Sequence, residues 1–411
     1  MTYVGPPATA DGRTSTVWLL DRAIGATTEL TVPADGVRPG NSVHPVISAD
    51  GCHVVVVTEI PFDLFRDDDT GTRWDVYQLT LPACGGQLGV WELVSTVSGD
   101  NAVAAAGDDV SPNYAPAVSG TAAIVSYVRN VGVAGSGLTA VQVIDRTVAL
   151  GDAGRSVAVA GTPPGPPPDS YRYTGQRQPS VSDDGDFISF TSDALSASPT
   201  REWSTGSTPG GFATSQVFVW DRSNPDPASN VAAVSSPAAA PANGEGGAAA
   251  ISADGRYVAF ESTATNLVPG AVLPACTTTC VPQIYRLDRT TGTILLASRQ
   301  QATIGATPVA TDSGAYQPAI SADGGDVAFV SRASNLFDVR SLSATGDPGE
   351  VSGDVVVIHL ASGAVERVSV LADGVTPAPA AQSAPQISAD GRTVVFNTAA
   401  GGAYQASLTS G

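Results

Sequence analysis

The sequence predicts an all-β protein: a six-bladed β-propeller of four-stranded antiparallel blades, closed by N-terminal strands that complete the last blade. Three observations carry this. One phrase returns six times at a near-constant period, short β-branched and aromatic runs are bounded by turn residues, and each chain end holds about half a blade.

The phrase is a small apolar segment, a Ser-Ala-Asp-Gly turn and a Val/Phe-rich run, and its copies span residues 44–51, 115–121, 178–185, 248–255, 317–324 and 384–391. Their shared serines, Ser48, Ser119, Ser182, Ser252, Ser321 and Ser388, stand 71, 63, 70, 69 and 67 residues apart. A fixed period of this kind is one supersecondary unit stacked on copies of itself.

Each unit reads as four strands. Strand A ends at the shared serine, and strand B is the run after the turn, as in Val54–Thr58 or Tyr257–Glu261. Strand C has the form of Gln216–Arg222 or Gln283–Arg289, and strand D follows a turn such as Thr291-Gly292. The runs are too short and too β-branched for helices. In the Ser-Ala-Asp-Gly turn the glycine supplies the positive φ and the aspartate bonds its own backbone, so Asp50, Asp254, Asp323 and Asp390 are turn formers rather than catalytic acids. The second unit has Ser119-Gly120-Thr121 without Asp-Gly, and its hairpin is expected to turn differently.

A single domain over 1–411 follows, with blade six shared between 384–411 and 1–33. Thr16–Arg22 and Thr28–Val32 look like a C and a D strand lacking their own A and B, and pairing them with the last A and B would hide open edges. Tyr404–Leu408 also has the form of a C strand, which leaves open whether it displaces or extends the N-terminal one.

The runs PAISADGGDVAFVSRASNLF (318–337), AAAISADGRYVAFESTATNLVPG (248–270), QVFVWDR (216–222) and QIYRLDRTTG (283–292) resemble the repeats of TolB-like, WD40-like propellers, especially long versions in secreted actinobacterial proteins. The resemblance covers nearly the full chain and implies the fold. It leaves function open, since such propellers serve as protein docking platforms, glycan-binding modules and polysaccharide lyase scaffolds.

The chain has 39 acidic residues against 20 basic ones, all arginine and no lysine, for a net charge of −19. That balance argues against nucleic acid and anionic membrane surfaces, which both need a basic patch. No apolar stretch approaches the roughly 20 residues that span a bilayer, and no membrane insertion is expected. Met1–Pro7 lacks the basic start and apolar core of a signal peptide, so an export signal is expected to have been removed from an extracellular or cell-surface protein. A monomer is expected.

The four cysteines fit that compartment. In an antiparallel B–C pair the end of C lies beside the start of B, which makes Cys52 and Cys84 neighbours, and Cys276 and Cys280 share one loop. Two disulfides are expected; a zinc site would need Cys-x-x-Cys spacing and nearby histidines.

Blade topology sorts the connections onto two faces. The A–B and C–D turns are short; the B–C loops (59–74, 192–215, 262–282, 332–353) and the D–A loops are long, so the functional face should be the long-loop one. The residues before each A strand would ring the mouth of a central channel there. Tyr114, Tyr316, Arg177, Gln178, Gln317 and His44 stand in that ring, with Trp74, Tyr171, Arg172, Tyr173, Trp203 and Phe212 in nearby loops. Rings with amide and guanidinium donors suit a sugar or a peptide, whereas the plain alternative is that the tyrosines wedge blades and the glutamines tie loops.

No cofactor is required by any motif. Asp67, Asp69 and Asp75 share one acidic loop that could hold calcium, against the alternative of a solvated loop. Catalytic signatures are absent: of three histidines only His44 reaches the long-loop face, and no nucleophile elbow, zinc helix or phosphate loop occurs. The expected function is therefore a secreted, non-enzymatic module binding a glycan or protein partner. The alternatives are a carbohydrate-active enzyme, a lyase or glycoside hydrolase working in the same funnel with His44, Arg177 and a tyrosine, and a structural module of a larger surface protein.

Overall fold

The computed structural model describes residues 2–7, 14–21, 24–33, 39–62, 74–95, 109–110, 115–130, 139–149, 152, 154–159, 177–192, 215–226, 229–235, 242–276, 280–301, 307–336, 353–370, 384–398 and 403–408. They form an all-β propeller of antiparallel blades, with seven sheets rather than six. The first holds β1 (Thr2–Gly5), β2 (Thr16–Leu20) and β3 (Thr27–Glu29), in that order. The second holds β4 (Ser42–Ile47), β5 (His53–Thr58), β6 (Asp75–Thr80) and β7 (Trp91–Leu93). In the third, β8 (Asp109–Val110) and β9 (Ala117–Val118) share one edge of β10 (Ile124–Asn130), followed by β11 (Thr139–Asp145) and β12 (Ser156–Ala158).

The fourth runs β13 (Arg177–Val181), β14 (Phe187–Ser192), β15 (Gln216–Asp221) and β16 (Val231–Ala233). The fifth runs β17 (Gly246–Ile251), β18 (Tyr257–Ser262), β19 (Gln283–Asp288) and β20 (Thr293–Leu296). The sixth runs β21 (Ala315–Ile320), β22 (Asp326–Ser331), β23 (Asp354–His359) and β24 (Ala364–Arg367). The last has three strands, β25 (Gln386–Ile387), β26 (Thr393–Asn397) and β27 (Ala403–Ser407).

The expected sharing of one blade by the two chain ends is thus corrected. Thr2–Gly5, a strand of four residues running into Pro6-Pro7, pairs with β2 and makes the N-terminal hairpin a sheet of its own, with the Trp18 indole donating to Pro6 O at 3.1 Å. At the other end β27 takes the place beside β26, and the Tyr404 ring stacks on Phe396 at 5.6 Å between centroids.

The repeated turn works as its residues suggest. Ser48 Oγ donates to Asp50 Oδ1 and accepts from His53 N, while Asp50 Oδ1 also accepts from Cys52 N. The same set recurs at Ser182/Asp184, Ser252/Asp254, Ser321/Asp323 and Ser388/Asp390. The Ser321 hydroxyl and Gly325 N–H hold the Asp323 carboxyl below the usual carboxylate range. The second unit does not turn differently: Ala122 N donates to Ser119 O as Gly51 N does to Ser48 O, and Ala122 itself takes φ +52° where the others have glycine. Its methyl is fully buried, which offsets the cost of the left-handed backbone.

The chain divides into two compact units, Met1–Ser192 with Trp220–Pro225, and Asp193–Val219 with Asp226–Gly411. In the first, turns of successive blades are hydrogen-bonded, Asp50 N to Gly120 O and Gly120 N to Asp183 O, above a layer of Val55, Val57, Val76, Val125, Tyr127 and Ile144. In the second, Ala253 N bonds Ala322 O and Ala322 N bonds Ala389 O, and Ile284, Val327, Phe329 and Val356 pack together. There Gly324 (φ +72°) lies so close to the Tyr257 ring of the preceding blade that a Cβ would strike it. Arg256 and Arg286 lie over that ring at 4.7 and 4.4 Å from its centroid.

Both expected disulfides form, Cys52–Cys84 with Cα atoms 5.5 Å apart and Cys276–Cys280 with 4.6 Å. They fit an oxidising compartment such as the periplasm or the cell exterior. No helix among the described residues is long and apolar enough to cross a membrane.

Candidate functional site

The first strands of four blades break register near their start. The irregularities fall between Val43 and Val46, Arg177 and Ser180, Gly246 and Ala249, and Tyr316 and Ala319. Each places two residues opposite one on the neighbouring strand, a β-bulge. In three of them a non-glycine residue before a proline is left-handed: His44 at φ +51°, Gln178 at +53° and Gln317 at +53°. Proline has no N–H for the ladder and so belongs at a bulge or edge, and the residue before it is steered away from helical backbone. Positive φ in such residues stores on the order of 1–2 kcal/mol of strain each, the kind of cost found at binding positions. Gln178, Gln317 and His44 are all partly exposed.

These bulges lie at the blade end opposite the Ser-Ala-Asp-Gly turns. Side-chain clasps steady that end. Asn41 Oδ1 accepts from Thr14 N at 2.9 Å, Asn243 N donates to Asn266 Oδ1 at 3.0 Å, and Asp312 Oδ1 accepts from Ser334 N at 2.8 Å.

The site is most fully defined in the second unit. Glu261, near the end of β18, stands opposite the Gly247-Ala248 bulge of its own blade. Its Oε1 accepts the N–H of Gln317, in the bulge of the next blade, at 2.5 Å. A Cβ on Gly247 would come to 2.7 Å from Glu261 Oε2, so only glycine leaves the carboxylate this space without displacing it. Burial pushes the Glu261 carboxyl up to about 7, with the Gln317 N–H pulling the other way. The residue keeps part of its surface exposed although its carboxyl lies deep, and the carboxyl's surroundings set its titration. The side-chain oxygen of Gln317 is buried with no hydrogen-bond partner among the described residues. Tyr316 leans over Gly314, where a Cβ would strike its hydroxyl, and the Arg332 guanidinium lies 5.6 Å from its ring centroid.

Of the expected ring residues, the structure places His44, Gln178 and Gln317 at equivalent bulge positions and Tyr316 beside one of them. Arg177 opens β13, and Tyr114 lies outside the described residues, as do Tyr171, Arg172, Tyr173, Trp203 and Phe212. Trp74 packs against the valine layer of the first unit.

The acidic loop is described only at Asp75, since Asp67 and Asp69 lie outside the described residues. Asp75 is buried at the start of β6, and its Oδ1 accepts from Ser95 Oγ at 2.6 Å while that hydroxyl accepts from Val76 N. Gln216 with Ser235, Gln283 with Ser298 and Asp354 with Ser369 repeat this latch, so the Asp75 position has a structural use throughout the repeats. Among the described residues no group of three or more His, Cys, Asp or Glu side chains is placed to hold a metal ion.

Glu261 is the residue that reading the sequence missed. The signal was there: the ninth residue after each shared serine is Val57, Val128, Thr191, Val330 or Asn397 in the other repeats, and a carboxylate only at 261.

No protein-family model matches the chain, and no curated protein does. Solved structures do. An oligogalacturonate lyase from Vibrio parahaemolyticus is similar at 11% identity and a TM-score of 0.54, over 100% of this chain and 86% of its own. An oligogalacturonate lyase in complex with manganese is similar at 13% identity and 0.53, over 97% and 84%. TolB from Acinetobacter baumannii is a looser likeness, at 14% identity and 0.44, with 89% of this chain covering 62% of that one. The lyase likenesses place the chain in the β-propeller fold, and at such identities they speak of the fold alone.

Proposed function

We propose that the chain is an extracellular, non-enzymatic propeller module that recognises a glycan or protein partner through the bulge end of its blades. The observation that carries this reading is the repeated strain. Three equivalent positions hold polar, partly exposed side chains at φ near +50° directly before proline, where glycine would cost less. A fold that needed only packing there would gain from small, relaxed residues. Tyr316 beside Gln317 adds a ring next to an amide, the pairing that suits a sugar face or a peptide. The likeness to lyases lends this chain their fold and not their chemistry.

The test is retention on the immobilised full chain of polysaccharides, cell-wall fractions and secreted proteins, with Tyr316→Ala/Gln317→Ala run beside wild type. The reading expects a partner retained by wild type, lost by the variant and recovered with unchanged chain length. Shortened glycan chains would overturn the non-enzymatic reading, and equal retention by both proteins would move the site elsewhere.

A further inference from the structure

Glu261 and Gln317 join the fifth sheet to the bulge of the sixth through one contact, the Gln317 N–H donated to Glu261 Oε1 at 2.5 Å. Three features set this contact apart. A carboxylate stands at this repeat position only here, with Val57, Val128, Thr191, Val330 and Asn397 elsewhere. Its other oxygen lies against the Gly247 backbone, where even a methyl would come to 2.7 Å. The side-chain oxygen of Gln317 is itself buried with no partner among the described residues.

No charged group on the elements packed against Glu261 holds its charge. β17 carries none, and Glu245 ahead of it is fixed by its carbonyl, which accepts from Ser262 Oγ. On β19 Arg286 donates to Gly324 O and Asp288 pairs with Arg256, both at the turn end. β21 offers only the Tyr316 phenol, with Arg332 lying over its ring, and Asp312 ahead of β21 is clasped to Ser334. The carboxylate thus has one N–H donor, no described cation and a partner residue that also lacks a donor. This arrangement is short of hydrogens. A proton on Glu261 supplies one and removes a buried charge; its loss leaves a charge that water would solvate if the carboxylate left the contact.

We propose that Glu261 is a proton-operated clasp, which holds the Tyr316-Gln317 bulge against the fifth sheet while protonated and releases it when ionised. Tyr316 and Gln317 belong to the binding surface proposed above, so the inference deepens that reading and rests on it, and partner binding should be strongest in acidic surroundings. Burial pushes the clasped carboxyl up to about 7, against the pull of the Gln317 N–H, whereas the ordinary value is 4.5. The clasp is therefore complete below about pH 4.5 and is lost as pH rises through about 7.

The experiment is hydrogen–deuterium exchange of the full chain from pH 5 to pH 8, read in a peptide spanning 315–320. Rates are expressed against the same peptide free in solution, which removes the intrinsic pH dependence. Protection of the Gln317 amide should fall by at least about tenfold across this range in wild type. It should stay level in Glu261→Gln, which keeps an acceptor for that N–H and cannot ionise. The equivalent bulge at 177–181, preceded by a blade with Val128 in place of the glutamate, should show no such fall.

Level protection in wild type overturns the clasp whatever the variant does. An equal fall in Glu261→Gln, or in the 177–181 peptide, overturns the assignment to Glu261. Level protection together with a partner that is lost in Tyr316→Ala/Gln317→Ala sinks this inference alone and leaves the proposed function standing. A fall confined to wild type, with the partner retained equally by that double variant, supports the clasp and moves the binding surface elsewhere.

Discussion

The two ends of each blade differ in how they use the same backbone. At one end five repeats carry the Ser-x-Asp-Gly turn with one set of hydrogen bonds, and the sixth reproduces its backbone with Ala122. At the other end the bulges hold His44, Gln178, Gln317 or Ala248 at one repeat position, and three of the four are strained. A turn that packs against its neighbour has one good solution and repeats it. An end that varies in chemistry while bearing strain is where the propeller departs from what stability alone would select.

That contrast can be broken most forcefully at the turn end. Cys52→Ser/Cys84→Ser opens a link between residues 32 apart, and chain-entropy arguments put the loss at about 3–4 kcal/mol. A chemical-denaturation midpoint that does not move would mean the turn end is not where stability resides. Gly324→Ala should cost about 3 kcal/mol, combining a left-handed alanine with crowding against Tyr257. Loss of stability without loss of partner binding is the expected outcome for both.

At the bulge end the expected changes are smaller and of opposite sign. Glu261 titrates near 7 in the folded chain against 4.5 as the ordinary value, so the native state holds its proton more tightly. Stability from this group is complete below about pH 4.5 and is lost as pH rises through about 7. Glu261→Gln should therefore stabilise by on the order of 2 kcal/mol at pH 8 and scarcely at pH 4.5. Thermal unfolding at the two pH values measures it, and equal shifts at both would contradict the assignment. The smallest effect is expected for His44→Gly, Gln178→Gly and Gln317→Gly. Each should gain about 1 kcal/mol by relieving left-handed strain while weakening partner binding.

The turn end was legible because its signal is local: Ser, Asp and Gly at fixed spacing state both the hydrogen bonds and the positive φ. The blade number was not, because Thr2–Gly5 is only four residues long and becomes a strand through pairing with β2, a contact at a distance from any motif. His44, Gln178 and Gln317 were expected as polar residues before their A strands, but nothing in their side chains announced the strained backbone. Ala115 and Ala384 also precede prolines, yet the left-handed non-glycines among the described residues are His44, Ala122, Gln178 and Gln317. The dipeptide alone therefore does not decide the conformation. The Glu261 contact depends on two adjacent blades, and only aligning the repeats against one another brings out its odd carboxylate.

The most direct test compares the two ends in one assay. Partner retention on the immobilised full chain is measured for Gln178→Gly/Gln317→Gly and for Gly324→Ala, each held well below its unfolding midpoint. The account predicts that the bulge variant, at least as stable as wild type, loses the partner while the less stable turn variant keeps it. Retention lost only in the turn variant, or kept in both, would contradict the assignment of function to the bulge end.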